Sequence, residues 1–135
     1  GNVGTMIRTA DAAGFDGVML SKASADLYSL KTLRSMQGSH FHLPIWKMDR
    51  EELFERASQS NLAVLATTLS EASIDYRQLP QIDQLILVMG NEGKGISPEM
   101  ATRADQLVHI TMPGRAESLN VAVAAGILMF HLRNF

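Results

Sequence analysis

The chain contains no cysteine, which excludes disulfide staples, thiolate metal sites and a cysteine nucleophile, and fits a reducing compartment. It has no apolar run of about 18 residues free of polar breaks, the least a bilayer-spanning helix needs. Its opening residues are not a basic and apolar leader, so the expected location is the cytoplasm. Positive charge is not in surplus either: 12 Lys and Arg stand against 14 Asp and Glu, for a formal net charge of −2. Domains that grip nucleic acid by bulk electrostatics are usually strongly basic, so any such contact here has to come from a local basic rim. Repeats, low-complexity stretches and linkers are missing as well. The 135 residues are therefore expected to form one domain, large enough to bury a core unaided. The four histidines are scattered and complete no Ser-His-Asp set. His40 and His42 alternate with Phe41 and Leu43, but no third ligand stands nearby, so a structural role is expected and no metal.

What is present is an alternation of short apolar runs and helical stretches. Val3, Met6, Ile7 and Ala10 recur at helical spacing, with Gly14 as terminator. Gly17 to Leu20 reads as a strand, followed by a helical segment near Ser29 to Met36. The stretch from Ser39 to Lys47 is ambiguous. Asp49 to Ser58 suits a capped amphipathic helix. Leu62 to Ala66 and Leu85 to Met89 are apolar on both faces, as central strands are. Ser97-Pro98 is a strong helix start, with Ser97 as cap and Pro98 at the first helical position. Leu107 to Ile110 is a further strand, and a closing helix runs from about Ser118 to Arg133. Strands alternating with helices predict an α/β fold, a mostly parallel sheet with helices on both faces.

In such sheets ligands bind beyond the carboxyl ends of the strands. The loops there are Thr67-Thr68-Leu69, Gly90 to Ser97, and Thr111 to Leu119. If their strands are neighbours, all of them line one pocket. The closing helix, Val121 to Phe130, is apolar nearly all round and has no polar face to turn to water, so it belongs in a core or against another chain. Its N-terminus offers free N–H groups to an anionic or electron-rich ligand. Gly90 to Ser97 is not a P-loop, because Ile96 follows Gly95 where lysine is required. It is not a dinucleotide fingerprint either, because Pro98 stands where a small residue is needed. A purely structural glycine turn remains open for it. Glu92, flanked by glycines, either faces a ligand or is simply wet. Ser118 reads equally as a helix cap and Arg8 as a solvated side chain. Asn120, in the first turn of an apolar helix, must find partners if buried.

Three motifs follow in order: Asn2-Val3-Gly4-Thr5-Met6-Ile7-Arg8-Thr9-Ala10, then Met89-Gly90-Asn91-Glu92-Gly93-Lys94-Gly95-Ile96-Ser97, then Ile110-Thr111-Met112 through Ser118-Leu119-Asn120-Val121-Ala122-Val123-Ala124. Each is weak alone, but the ordered set resembles the SpoU (TrmH-like) ribose 2′-O-methyltransferases of the SPOUT superfamily, across essentially the whole chain. The chain departs from the family's pattern at Thr111, where proline is common. The family's first strand, before the Asn-x-Gly motif, and the RNA-binding domain that many members carry ahead of it are missing here by that comparison.

The resemblance implies a C-terminal deep trefoil knot, an exception to the rule that chains avoid knots. It implies S-adenosylmethionine bound in a bent form among the three loops, its adenine held by backbone groups of Gly90, Ile110 and Leu119, with Thr67, Met112 and Ser118 beside them. The implied reaction is methyl transfer to a ribose 2′-hydroxyl of rRNA or tRNA. Arg8 is then the central catalytic residue, with Asn2, Glu92, Ser118 and Asn120 arranging it and the ribose. Lys22, Lys94 and Arg115 join Arg8 as the basic rim. The family is dimeric, so a homodimer is expected. Two alternatives stay open: a knotted enzyme that methylates a base, and an α/β module that binds a nucleotide or a protein without chemistry.

Overall fold

The computed structural model describes residues 2–21, 27–31 (by their backbone), 43–90, 95–114 and 119–133. In chain order the elements are α1 (Asn2–Ala12), β1 (Gly17–Ser21), β2 (Leu27–Lys31), β3 (Ile45–Met48), α2 (Arg50–Ser60), β4 (Ala63–Thr67), β5 (Ile74–Asp75), a single 3₁₀ turn (Tyr76–Gln78), β6 (Leu85–Met89), α3 (Pro98–Arg103), β7 (Gln106–His109) and α4 (Val121–Arg133). The strands form one sheet of seven in the order β3-β1-β2-β6-β4-β7-β5.

Local chemistry sets the helix boundaries. Gly14 at φ +83° ends α1, since a residue without Cβ enters the left-handed region at little cost. Asp49 accepts from the Glu52 amide at 2.8 Å while the Glu52 carboxylate takes the Asp49 amide at 3.3 Å. This reciprocal box starts α2, and Asn61, also left-handed, closes it. Ser97 accepts from the Met100 amide at 3.2 Å and Pro98 leads α3, as the sequence predicts.

Apolar residues on both faces of the strands then create two cores. Val18, Leu65, Leu85, Leu87, Met89 and Val108 pack with Met6 and Ala10 of α1 and with Ala122, Ala125, Leu128, Met129 and Leu132 of α4. Their sequence neighbours Met19, Val64, Ala66, Ile86 and Val88 turn the other way, onto Leu53 and Ala57 of α2 and Met100 of α3. The period-two pattern thus becomes a sheet covered on both sides. Among the described residues no helix is long and apolar enough to cross a membrane.

Three expectations need correction. Leu27–Lys31 is a strand rather than the start of a helix; 32–36, the rest of the helix expected there, lie outside the described residues. The backbone of β2 pairs with β1 on one side and β6 on the other, antiparallel to both. Two full ladders outweigh the helix preference of its residues, a case of tertiary pairing overriding propensity. The ambiguous stretch supplies β3, parallel to β1, and Ile74–Asp75 adds a short edge strand parallel to β7 where Tyr76, Pro80 and several polar residues predict a loop leading to Leu85. The closing helix begins at Val121, not near Ser118.

Candidate active site

β6, β4 and β7 are consecutive in the sheet and mutually parallel. Ala66 lies level with Val88, and Thr67 with Val108. The loops that leave Thr67, Met89 and His109 therefore emerge side by side from one edge, the convergence that the sequence made conditional on neighbouring strands. Side-chain and main-chain ties knit that edge. The Thr67 hydroxyl donates to the Val88 carbonyl at 3.0 Å, and the Thr68 amide to the Val108 carbonyl at 3.0 Å.

Gly90 lies against the chain's own backbone. A Cβ built on it would lie 2.5 Å from the Gly95 carbonyl carbon and 2.7 Å from the Ile96 nitrogen. The glycine thus leaves room for the backbone of Gly95 and Ile96 beside the end of β6. After β7, Ile110 and Met112 are half-buried, while Leu119 is exposed.

Asn120 caps α4 rather than lying within it. Its Oδ1 accepts from the Ala122 amide at 2.8 Å and the Val123 amide at 3.3 Å, satisfying two donors that a helix start otherwise leaves open. It is exposed, and its Nδ2 donates to Oδ1 of Asn2 at 3.3 Å. The beginning and the tail of the chain therefore meet at the same edge. α1 and α4 lie close enough that a Cβ on Gly126 would sit 3.7 Å from Cγ2 of Thr9. Arg8 is exposed on α1, about 9 Å along the helix axis from Asn2 at 1.5 Å per residue. Glu92 and Ser118 lie outside the described residues, as do Lys22, Lys94, Arg115, His40 and His42.

Sequence reasoning missed Asp75. Its Oδ1 accepts from the Arg77 amide at 2.9 Å and from Arg77 Nε at 2.8 Å, and its Oδ2 from Arg77 Nη2 at 3.3 Å and the Thr111 amide at 3.1 Å. The Arg77 guanidinium, followed by the bond from Thr111, holds this carboxyl far below the usual carboxylate range. The available signal was Asp-x-Arg after a short run ending in Ile74, the pattern of an aspartate closing a turn on the amide two residues on.

A mainly parallel sheet whose strand-end loops gather at one edge, beside the capped start of α4, defines an open α/β domain, a class in which ligands bind at that edge. The chain matches the SpoU rRNA Methylase family over residues 1–130, and it belongs to that family. It is 44% identical over 133 residues to the Bacillus subtilis 23S rRNA (guanosine(2553)-2′-O)-methyltransferase RlmP, covering 98% of this chain and 53% of that protein. It is 32% identical to the putative TrmH family tRNA/rRNA methyltransferase YacO of the same organism, covering 97% of this chain and 53% of the relative. Among solved structures, the AdoMet-bound rRNA methyltransferase of Sinorhizobium meliloti superimposes with a TM-score of 0.76 at 36% identity, over 98% of this chain and 51% of that one. The Streptomyces viridochromogenes SpoU methyltransferase AviRb, in complex with AdoMet, gives 0.78 at 27% identity, over 98% and 52%. The chain spans about half the length of the curated relatives it matches.

Proposed function

We propose that this chain carries the methyl-transfer site of an S-adenosylmethionine-dependent RNA ribose 2′-O-methyltransferase acting on rRNA or tRNA. The observation that carries the reading is the adjacency of β6, β4 and β7, which gathers Thr67, Gly90, Ile110 and Met112 at the edge where Asn2 meets Asn120. Similarity to AdoMet-bound enzymes and to a 23S rRNA 2′-O-methyltransferase supports it.

The residues present suit such a donor. Ile110 and Met112 offer half-buried apolar surface for the faces of an adenine, and the backbone of Gly90, Ile110 and Leu119 offers polar groups for its rim; Thr67 and Ser118 complete the set. When bound, the cofactor supplies a methyl group on a sulfonium, with strong electrophilic character. The chain's own task is to bring a ribose hydroxyl into line and assist loss of its proton. Arg8 is exposed and so able to meet RNA. A guanidinium scarcely gives up its proton, so Arg8 anchors a phosphate and stabilises the developing alkoxide, while a neighbouring group or the RNA phosphate accepts the proton. Asn2 and Asn120, held to each other, orient the ribose together with Glu92 and Ser118.

Two further parts belong to the same proposal. The C-terminal segment threads a deep trefoil knot, which the return of the chain after β7 to the start of α1 supports. A second copy of the chain covers the outer face of α4, where Val123 is 53% exposed and Phe130 38%, apolar surface that a free monomer would leave in water.

Calorimetry with S-adenosylmethionine, followed by mass spectrometry of digested RNA after incubation with the cofactor, tests the reading. Binding and a methylated ribose are expected. A methylated base moves the activity to another class of knotted enzyme, and absence of cofactor binding leaves a non-catalytic module. The Arg8→Ala variant should lose transfer and keep cofactor binding.

A further inference from the structure

β5 is an edge strand of only two residues, Ile74 and Asp75, paired with Val108 and His109 of β7. On its inner side β7 is held by β4 and the Thr68 amide as far as Val108; on its outer side β5 offers only these two ladder positions. Side chains at both ends reinforce them. Ser73 Oγ lies 2.7 Å from Nδ1 of His109, and Oδ2 of Asp75 takes the Thr111 amide at 3.1 Å. Thr111 stands between Ile110 and Met112, the two residues of this loop that face the ligand edge in the reading above.

We infer that Asp75 is a positioning residue for the methyl-donor site: by clamping the Thr111 amide it sets where Ile110 and Met112 present themselves to the cofactor. The inference rests on the cofactor assignment proposed above. The geometry is that of a built clamp. One carboxylate oxygen and the Arg77 amide close the turn that follows β5, which orients the other oxygen toward β7. Arg77 braces the carboxylate from the solvent side through both Nε and Nη2. Its own guanidinium carbon lies 5.9 Å from the centre of the Tyr76 ring. The side chain of Asp75 is 12% exposed and that of Arg77 67%, so the carboxylate is shielded while its counter-ion is wet. A bond from a backbone amide to an ionised carboxylate is stronger than a neutral one. The Arg77 side chain is largely exposed, so its ion pair is screened by water and its loss should cost less.

The test pairs two substitutions in the same 135-residue chain. Asp75→Ala should weaken S-adenosylmethionine binding about tenfold, the loss expected of one charge-assisted hydrogen bond. Arg77→Ala should weaken it less than about threefold. Thr111→Pro removes the amide hydrogen that Asp75 accepts. In that background Asp75→Ala should add almost nothing, because the two changes delete one shared contact. An equal loss from Asp75→Ala in both backgrounds would assign its effect to the turn alone and overturn the inference. So would unchanged affinity in Asp75→Ala. Amide hydrogen exchange of the unmodified chain supplies a reading that needs no variant. Thr111 should exchange at least about tenfold more slowly than an open amide, and an unprotected Thr111 removes the clamp. If the unmodified chain protects Thr111 yet binds no S-adenosylmethionine, the cofactor reading fails, and with it the role in positioning, while the clamp itself stands.

Discussion

α2 and α4 lie on opposite faces of the sheet and are similar in length, 11 and 13 residues, yet only α2 is finished for water. Its outer side carries Glu51, Glu55, Arg56 and Gln59, all exposed. Glu51 pairs with Arg103 of α3, whose guanidinium carbon also sits 4.2 Å from the centre of the Phe54 ring. Its N-cap, Asp49, finds its partner three residues away. α4 differs on both counts. Its outward positions include Val123 and Phe130, and its cap, Asn120, besides taking the amides two and three residues on, is tied to Asn2 at the opposite end of the sequence. Helices with equally buried inner faces therefore differ in what their outer faces and caps are for. α2 completes the domain locally, whereas α4 joins distant segments and leaves Val123 and Phe130 exposed.

The largest effect that would sharpen this contrast concerns assembly. Val123→Asp together with Phe130→Asp should convert a dimer to a monomer in sedimentation, since two unpaired carboxylates in an apolar contact cost on the order of several kcal/mol. Arg56→Glu on α2 should leave the assembly unchanged. A monomeric unmodified chain at micromolar concentration, or a double variant that still dimerises, breaks the comparison at its outer faces. The inner faces should behave alike. Leu128 and Leu53 are 1% and 0% exposed, and truncating either to alanine should cost about 3 kcal/mol in denaturant unfolding. A loss below about 1 kcal/mol for Leu128→Ala alone would mean that α4 is not docked as described.

The same contrast explains what the sequence made legible. Features written within a few residues came through: the capped helix from Asp49, the Ser97-Pro98 start, Gly14 as the terminator of α1, and the two-sided apolar runs of β4 and β6. Those runs and the order of the loops were enough to expect a shared edge only on the condition that the strands are neighbours, which the sheet order meets. What escaped depends on partners far along the chain. Leu27–Lys31 becomes a strand only because β1 and β6 flank it. Ile74–Asp75 is too short for a periodicity and exists through β7. Asn120 looked like a residue within the first helical turn, and its place just ahead of α4 follows from the amides it accepts. Asp75 carried no sign of Thr111, 36 positions later. Of the candidate site, Asn2 and Asn120 are brought together, Thr67, Gly90, Ile110 and Met112 share the edge, and Arg8 is exposed on α1.

Smaller effects separate the caps. Asp49→Ala and Asn120→Ala should each cost about 1 kcal/mol of stability. Only Asn120→Ala should also weaken cofactor binding or transfer, because its cap is part of the edge where Asn2 arrives. Equal retention of binding in both variants would make the Asn2–Asn120 contact structural only.

The smallest effect concerns acid, and its sign follows from Asp75. Arg77 and the Thr111 amide lower its folded-state pKa below the unfolded value of about 3.9. A carboxylate so shifted contributes stability that is fully present above the unfolded pKa and is lost as pH falls through the folded one. The stability difference between the unmodified chain and Asp75→Asn should therefore stay constant from pH 8 to about 5 and shrink only below about 4. Denaturant unfolding of both proteins at several pH values measures it. The Arg77 guanidinium comes first and the Thr111 amide second in holding the carboxylate ionised; Arg77 is largely wet, so the whole contribution is modest, and acid removes both contacts together. A difference that already collapses between pH 7 and 5 would show that the carboxylate is not held ionised by these partners. The β7 exit would then rest on the Ser73–His109 contact, which spans the same 36 positions, so the edge nearest the site would still be tied by a distant segment, as the cap of α4 is and that of α2 is not.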